Sequence, residues 1–148
     1  QEPYSNIRDP GELAREYPLI MISGTRSIHF YSTMGLEVER LRRAHPDPLL
    51  ELSPECASLH GIQNGDWLWI ESPWSSRRVR RKARVTRGMH ERVVNAEGLW
   101  YLPGEDPVES ALAVGANTLT LLSDAFDPVV GGSMARCVPC RIGRIESD

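Results

Sequence analysis

The sequence predicts a mainly β domain with short helices, its strands folded into a compact barrel. Three observations carry this. Six short apolar or alternating runs are spread along the chain, each bounded by Gly, Pro, Asn, Asp or Ser. The helical segments between them are few and short, which suits a barrel with helical insertions better than a regular α/β sheet. At 148 residues the chain is one domain, long enough to bury a real core.

Residues 1–18 read as an extended lead-in, with Pro3, Pro10 and Pro18 as breakers. Leu19–Ile22 is a continuous apolar run of buried-strand type, ended by Gly24. "GLEVERLRRAHPDP" predicts a helix over Leu36 to Ala44, stopped by Pro46 and Pro48, and "LLEL" (Leu49–Leu52) is the next strand. In "SPECASLHG", Ser53 can cap a helix and Pro54 suits its first position. Glu55 suits the positive end of its dipole, and Gly61 the left-handed residue after it. Asn64-Gly65-Asp66 is a turn into a strand at Trp67–Ser72. Arg78–Thr86 is a strand with Val79, Ala83 and Val85 on one face, and Val93–Ala96 is another. Gly104–Ser133 is irregular and too long for an idle connection, so it is a candidate functional loop. Cys140–Ile145 closes the set of strands.

Bulk composition narrows the function. Hydrophobic residues make up 41% and charged residues 25%, so the chain is neither disordered nor membrane-like. No apolar run approaches the ~18 residues that suggest a membrane helix, and no signal-peptide pattern opens the chain. The formal net charge is -3, without the basic surplus of a duplex binder. The three cysteines are an odd set that makes no disulfide framework.

Local candidates are weighed the same way. Cys137-Val-Pro-Cys140 has C-x-x-C spacing, but a zinc site needs about four ligands and no second pair exists. Core cysteines on a terminal strand, with neither metal nor disulfide, are the expectation. "RRVRRKAR" (Arg77–Arg84) has no interleaved aromatic residue and reads as a solvated strand face. His45, His60 and His90 lie among polar residues and read as surface. His29 differs, because Arg26, Ser27, Tyr31, Ser32 and Thr33 crowd the same loop after a strand. That composition suits a phosphate or a polar ring.

Longer motifs join these pieces. "YPLIMISGTRSIHFYST", followed by "HPDPLLELSPECASLHGIQNGDWLWIESP" and later "ANTLTLLSDAFDPVVGGSMARCVPCRI", resembles the C-terminal molybdopterin-dinucleotide-binding domain of the dimethyl sulfoxide reductase family of molybdenum and tungsten oxidoreductases. The resemblance runs from about Tyr17 to Ile145, with the motifs in order. It implies a double-psi β-barrel (an aspartate-decarboxylase-like barrel) over 19–148, preceded by a linker from upstream domains over 1–18. It implies molybdopterin guanine dinucleotide as cofactor, two per parent enzyme, with molybdenum or tungsten held by the parent and none expected on the isolated domain.

The expected cofactor-binding residues are Ser23, Gly24, Arg26, Ser27, His29, Tyr31, Ser32, Trp100, Asn117, Gly132, Ser133 and Arg136. Gly24 would allow close backbone approach. Arg26 would pair with phosphate or pterin oxygens. The hydroxyls would donate to oxygens, and His29 and Tyr31 would stack or donate. Nothing matches the family's iron-sulfur cysteine cluster or its metal ligand, so no catalysis by this chain alone is expected. The expected partners are upstream domains of the same polypeptide and an iron-sulfur electron-transfer subunit, with no nucleic acid and no membrane contact. A cytoplasmic location is favoured, or a periplasmic one if the parent carries a twin-arginine signal. Two other readings stay open: a separate small subunit of a formylmethanofuran-dehydrogenase-like enzyme, and a β-barrel module binding nucleic acid or protein.

Overall fold

The computed structural model describes residues 10–23, 27–30, 34–98, 100, 121, 129, 131 and 137–145. Six strands form one closed ring: β1 (Leu19–Ser23), β2 (Leu49–Leu52), β3 (Trp67–Glu71), β4 (Arg78–Val85), β5 (Val93–Ala96) and β6 (Val138–Arg144). Around the barrel they run β1-β5-β2-β4-β3-β6. The pairs β1–β5 and β2–β4 are parallel, and the other four are antiparallel. This is a double-psi β-barrel. The strands lie where the sequence predicts them, with ends differing by one or two residues, as fraying allows.

Alternation fills the interior. Met21, Leu50, Leu52, Leu68, Ile70, Val79, Val94, Val138 and Cys140 are fully buried and pack into one cluster. A small barrel is filled by its own side chains, so this interior is packed core. The local signals around α3 (Pro54–Leu59) behave as read. Ser53 Oγ accepts from Cys56 N at 3.1 Å, and Gly61 takes φ +63°. At the next turn Gly65 adopts φ +94°, and Asp66 Oδ2 accepts from Gln63 N at 2.8 Å.

Several expectations are corrected. The lead-in is not extended throughout, because Pro10–Glu16 is a helix, α1. Pro10 opens it, since a first-turn residue has no use for an N–H, and Glu12 and Arg15 match the dipole. The second helix, α2, spans Glu39–Ala44 and not Leu36–Ala44. Gly35 at φ +98° makes a turn closed by Val38 N to Gly35 O at 2.9 Å, and Val38 is extended. Leu36 is buried against Phe30 and Trp100 in a small satellite cluster, on which Leu41 of α2 also rests. Cys140 is a core residue, but Cys137 is exposed; both thiols are free.

The basic strand is not wholly a solvated face. Arg81 falls in the inward register with Val79 and Ala83 and is fully buried. The outward cations each meet a neighbouring strand or loop. Arg78 pairs with Glu71, Lys82 with Asp47 at 2.7 Å, and Arg84 with Glu51 at 3.5 Å, while Arg80 lies 4.7 Å from the centre of the Trp67 ring. Such a ladder stabilises a sheet surface, and it spends charge that an open phosphate stripe would present. Among the described residues no helix is long and apolar enough to cross a membrane.

Candidate functional site

The site grows from strand direction. Because β1 and β5 are parallel, with Ser23 opposite Ala96, the segments following them leave the same end of the barrel. β2 runs antiparallel to β5, with Leu50 opposite Ala96, so the segment entering β2 arrives at that end too. Ser27–Phe30 after β1, Glu97, Gly98 and Trp100 after β5, and His45 before β2 are thereby brought together from distant parts of the chain.

Four rings meet there. His29 stacks on His45 with centroids 5.6 Å apart and planes 18° from parallel. Phe30 meets Trp100 edge-on at 5.5 Å, and His45 lies 5.5 Å from Trp100. Such pairs add about 0.5–1.5 kcal/mol each beyond the area they bury. Ser27 Oγ accepts from His29 N at 3.0 Å and lies 3.3 Å from His29 Nδ1, which holds the ring against its own loop. Trp100 is only 5% exposed, yet its buried indole N–H finds no acceptor among the described residues. A buried donor left this way costs about 1–3 kcal/mol, which an acceptor atom on a ligand would remove.

Below the rings lies a polar support. His45 Nε2 is 2.9 Å from the Glu97 carboxylate, and Glu97 Oε2 also accepts from Leu49 N at 2.9 Å. With the Glu97 carboxylate as acceptor, His45 Nε2 is the donor of this bond. Arg81 donates through Nε and Nη2 to Glu97 O at 3.0 and 2.8 Å, through Nη2 to Gly98 O at 2.8 Å, and through Nη1 to Arg80 O at 2.8 Å. Burial pulls its pKa down to about 9, opposed by the Glu97 carboxylate, so the guanidinium stays charged at neutral pH.

Of the sequence-predicted residues, Ser23 closes β1, while Ser27, His29 and Trp100 are brought to this one end. Gly24, Arg26, Tyr31, Ser32, Asn117, Gly132, Ser133 and Arg136 lie outside the described residues, as does nearly all of the long loop 104–133. Leu121 of that loop is buried, and its carbonyl accepts from Ser72 Oγ at 2.6 Å. Sequence reasoning missed His45, Glu97 and Arg81. His45 was expected at the surface, but its side chain is 13% exposed. His60 is also half-buried, with burial lowering its pKa, whereas His90 is exposed as expected. The parity of β4 was the available signal for Arg81. Among the described residues no group of three or more His, Cys, Asp or Glu is placed to hold a metal ion.

Comparison with known proteins agrees with this architecture. Residues 19–139 match the model of the Molydopterin dinucleotide binding domain. The dopamine dehydroxylase of Eggerthella lenta is 33% identical over 102 residues, covering 69% of this chain and 10% of that protein. The periplasmic nitrate reductase of Campylobacter fetus is 38% identical over 101 residues, 66% of this chain and 10% of that protein. The solved acetylene hydratase from Pelobacter acetylenicus superposes with a TM-score of 0.85 at 27% identity, over 98% of this chain and 21% of that one. The chain thus spans about a tenth of the length of the curated relatives it matches. With the family model covering the barrel from its first strand into its last, the chain belongs to the molydopterin dinucleotide binding domain family.

Proposed function

We propose that residues 19–148 bind molybdopterin guanine dinucleotide as one domain of a larger molybdenum- or tungsten-dependent oxidoreductase, with residues 1–18 leading in from upstream domains. The match over residues 19–139 carries this reading. The residues at the barrel end fit a fused heteroaromatic cofactor: a stacked imidazole pair and a buried indole donor with no acceptor among the described residues suit a flat ring edged with oxygen and nitrogen. When bound, the cofactor and its metal supply the redox chemistry of the whole enzyme. The chain itself would bind and orient. Ser27 holds His29, Trp100 would donate from its indole nitrogen to the cofactor, and the satellite cluster of Phe30, Leu36 and Trp100 would keep water from beneath the rings. Ser23, Gly24, Arg26, Tyr31, Ser32, Asn117, Gly132, Ser133 and Arg136 complete the proposed contact set. An iron-sulfur electron-transfer partner belongs to the same reading.

The test is metal and pterin analysis of the full-length parent, with Arg26→Ala beside the wild type. Losing a hydrogen bond to a charged group costs about 1.5–3 kcal/mol, so dinucleotide affinity should fall roughly 10- to 100-fold at that cost while the barrel stays folded. A parent that contains no pterin dinucleotide, or an Arg26→Ala parent with undiminished content, would count against the proposal.

A further inference from the structure

We propose that Arg81, Glu97 and His45 form a clamp that positions His29 and Trp100 at the open end of the barrel. Each link is a contact in the structure. Three carbonyls, those of Arg80, Glu97 and Gly98, converge on the buried Arg81 guanidinium. Two of them belong to the chain leaving β5, whose next described residue is Trp100. Glu97, with its backbone held by Arg81, turns its carboxylate to Leu49 N and His45 Nε2. His45, held through Nε2, offers its flat face to His29 and an inclined one to Trp100.

The chemistry explains why an arginine occupies a barrel interior. Leu, Ile or Val would fill that volume, but none could donate to the Glu97 and Gly98 carbonyls just past the end of β5. The guanidinium fork can, because its donors lie in one plane with fixed spacing. The buried Glu97 carboxylate offsets the guanidinium charge and faces His45 and Leu49. Charge inside the barrel is thus coupled, through the backbone and one carboxylate, to ring placement at its mouth. Arg81, Glu97 and His45 are positioning residues here, acting through His29 and Trp100. Only the final link, from ring placement to cofactor retention, rests on the proposed function.

The test uses histidine side-chain NMR of the 148-residue chain, then cofactor content of the full-length parent. In the wild type, the His29 ring protons should be displaced by the faces of His45 and Trp100, and His45 should show the Nε2–H tautomer. Arg81→Met should lose most of that displacement. Val79→Ala, a cavity on the same inward face of β4, should keep it despite lower stability. A folded Arg81→Met chain with unmoved His29 signals overturns the clamp, and so does an equal loss in Val79→Ala. Should Arg81→Met fail to fold, Glu97→Gln leaves the guanidinium contacts in place and tests the next link; retention of both the wild-type His45 signature and the His29 shift would overturn the proposal. In the parent, Arg81→Met should lower dinucleotide content several-fold relative to Val79→Ala, and equal content overturns the positioning role. A wild-type parent with no dinucleotide would overturn the functional reading alone, because the histidine spectra still decide the clamp.

Discussion

Gly35 and Gly65 have nearly the same backbone geometry, at φ +98° and +94°, but different surroundings. A β-carbon on Gly65 would meet nothing within 4 Å. One on Gly35 would lie 3.2 Å from Leu41 Cδ1, 3.4 Å from Phe30 Cδ1 and 3.6 Å from His29 O. Alanine at either position incurs the left-handed backbone penalty, about 1–2 kcal/mol. It also restricts the unfolded chain, which returns about 0.4–1 kcal/mol. Gly65→Ala should therefore destabilise by at most about 1.6 kcal/mol on balance. Gly35→Ala must also push Leu41 or Phe30 from its rotamer, adding about 0.5–1.5 kcal/mol. Phe30 rests edge-on against Trp100, so this second loss falls on the ring cluster. Urea unfolding followed by far-UV circular dichroism measures both, with unchanged m-values as the check that the same transition is compared. Equal losses for the two variants, or a larger one at Gly65, would refute the claim that packing beneath the rings is tight.

Two further perturbations test other elements. Ser53→Ala removes the side-chain N-cap bond of α3 and leaves the Cys56 N–H without it; because Ser53 is fully buried, a loss of about 1–2 kcal/mol in urea unfolding is expected. His60 should make stability depend on acidity, because burial lowers its pKa in the folded state. The unfolded chain then binds the proton more readily, so this contribution is present above the ordinary histidine pKa and is lost as pH falls through and below it. Thermal midpoints at about pH 7.5 and 5.5 should differ less in His60→Gln than in the wild type, and an unchanged difference would show that His60 does not report its burial.

How much of this was legible in the sequence depends on the range of the contact involved. Strands were legible because alternation and turn residues are local: Asn64-Gly65-Asp66 and Ser53-Pro54 specify their own geometry within a few residues. The start of α2 was not, because Leu36 has a tertiary use in the satellite cluster that overrides its helical preference. Pro10 was read as a breaker although the first position of a helix tolerates proline equally well. His45 looked like a surface residue because its partner, Glu97, is 52 residues away and reaches it only through the antiparallel pairing of β2 with β5. Arg81 sat in a run of basic residues whose composition masked its parity. Val79 and Ala83 already marked the inward face, but the Glu97 and Gly98 carbonyls that accept from Arg81 lie just past β5, a strand that does not neighbour β4 in the ring. At the candidate site, residue types on the first loop were readable, whereas the support beneath them depended on closure of the barrel.

That closure also constrains how the domain is made. β6 seals the ring by pairing with both β1 and β3, joining Leu19–Met21 and Leu68–Glu71 to residues 138–144. During synthesis the first strand must wait until well over a hundred further residues have left the ribosome before it gains that partner. Until then β1 and β3 each present a bare apolar edge, open to pairing with other chains. Pairings so distant in sequence are slow to form, and the nascent chain is most vulnerable in that interval. A chain interrupted before Val138 would keep those edges permanently, so truncated products should depend on holdase chaperones and appear in inclusion bodies, while the completed ring has no edge left to offer.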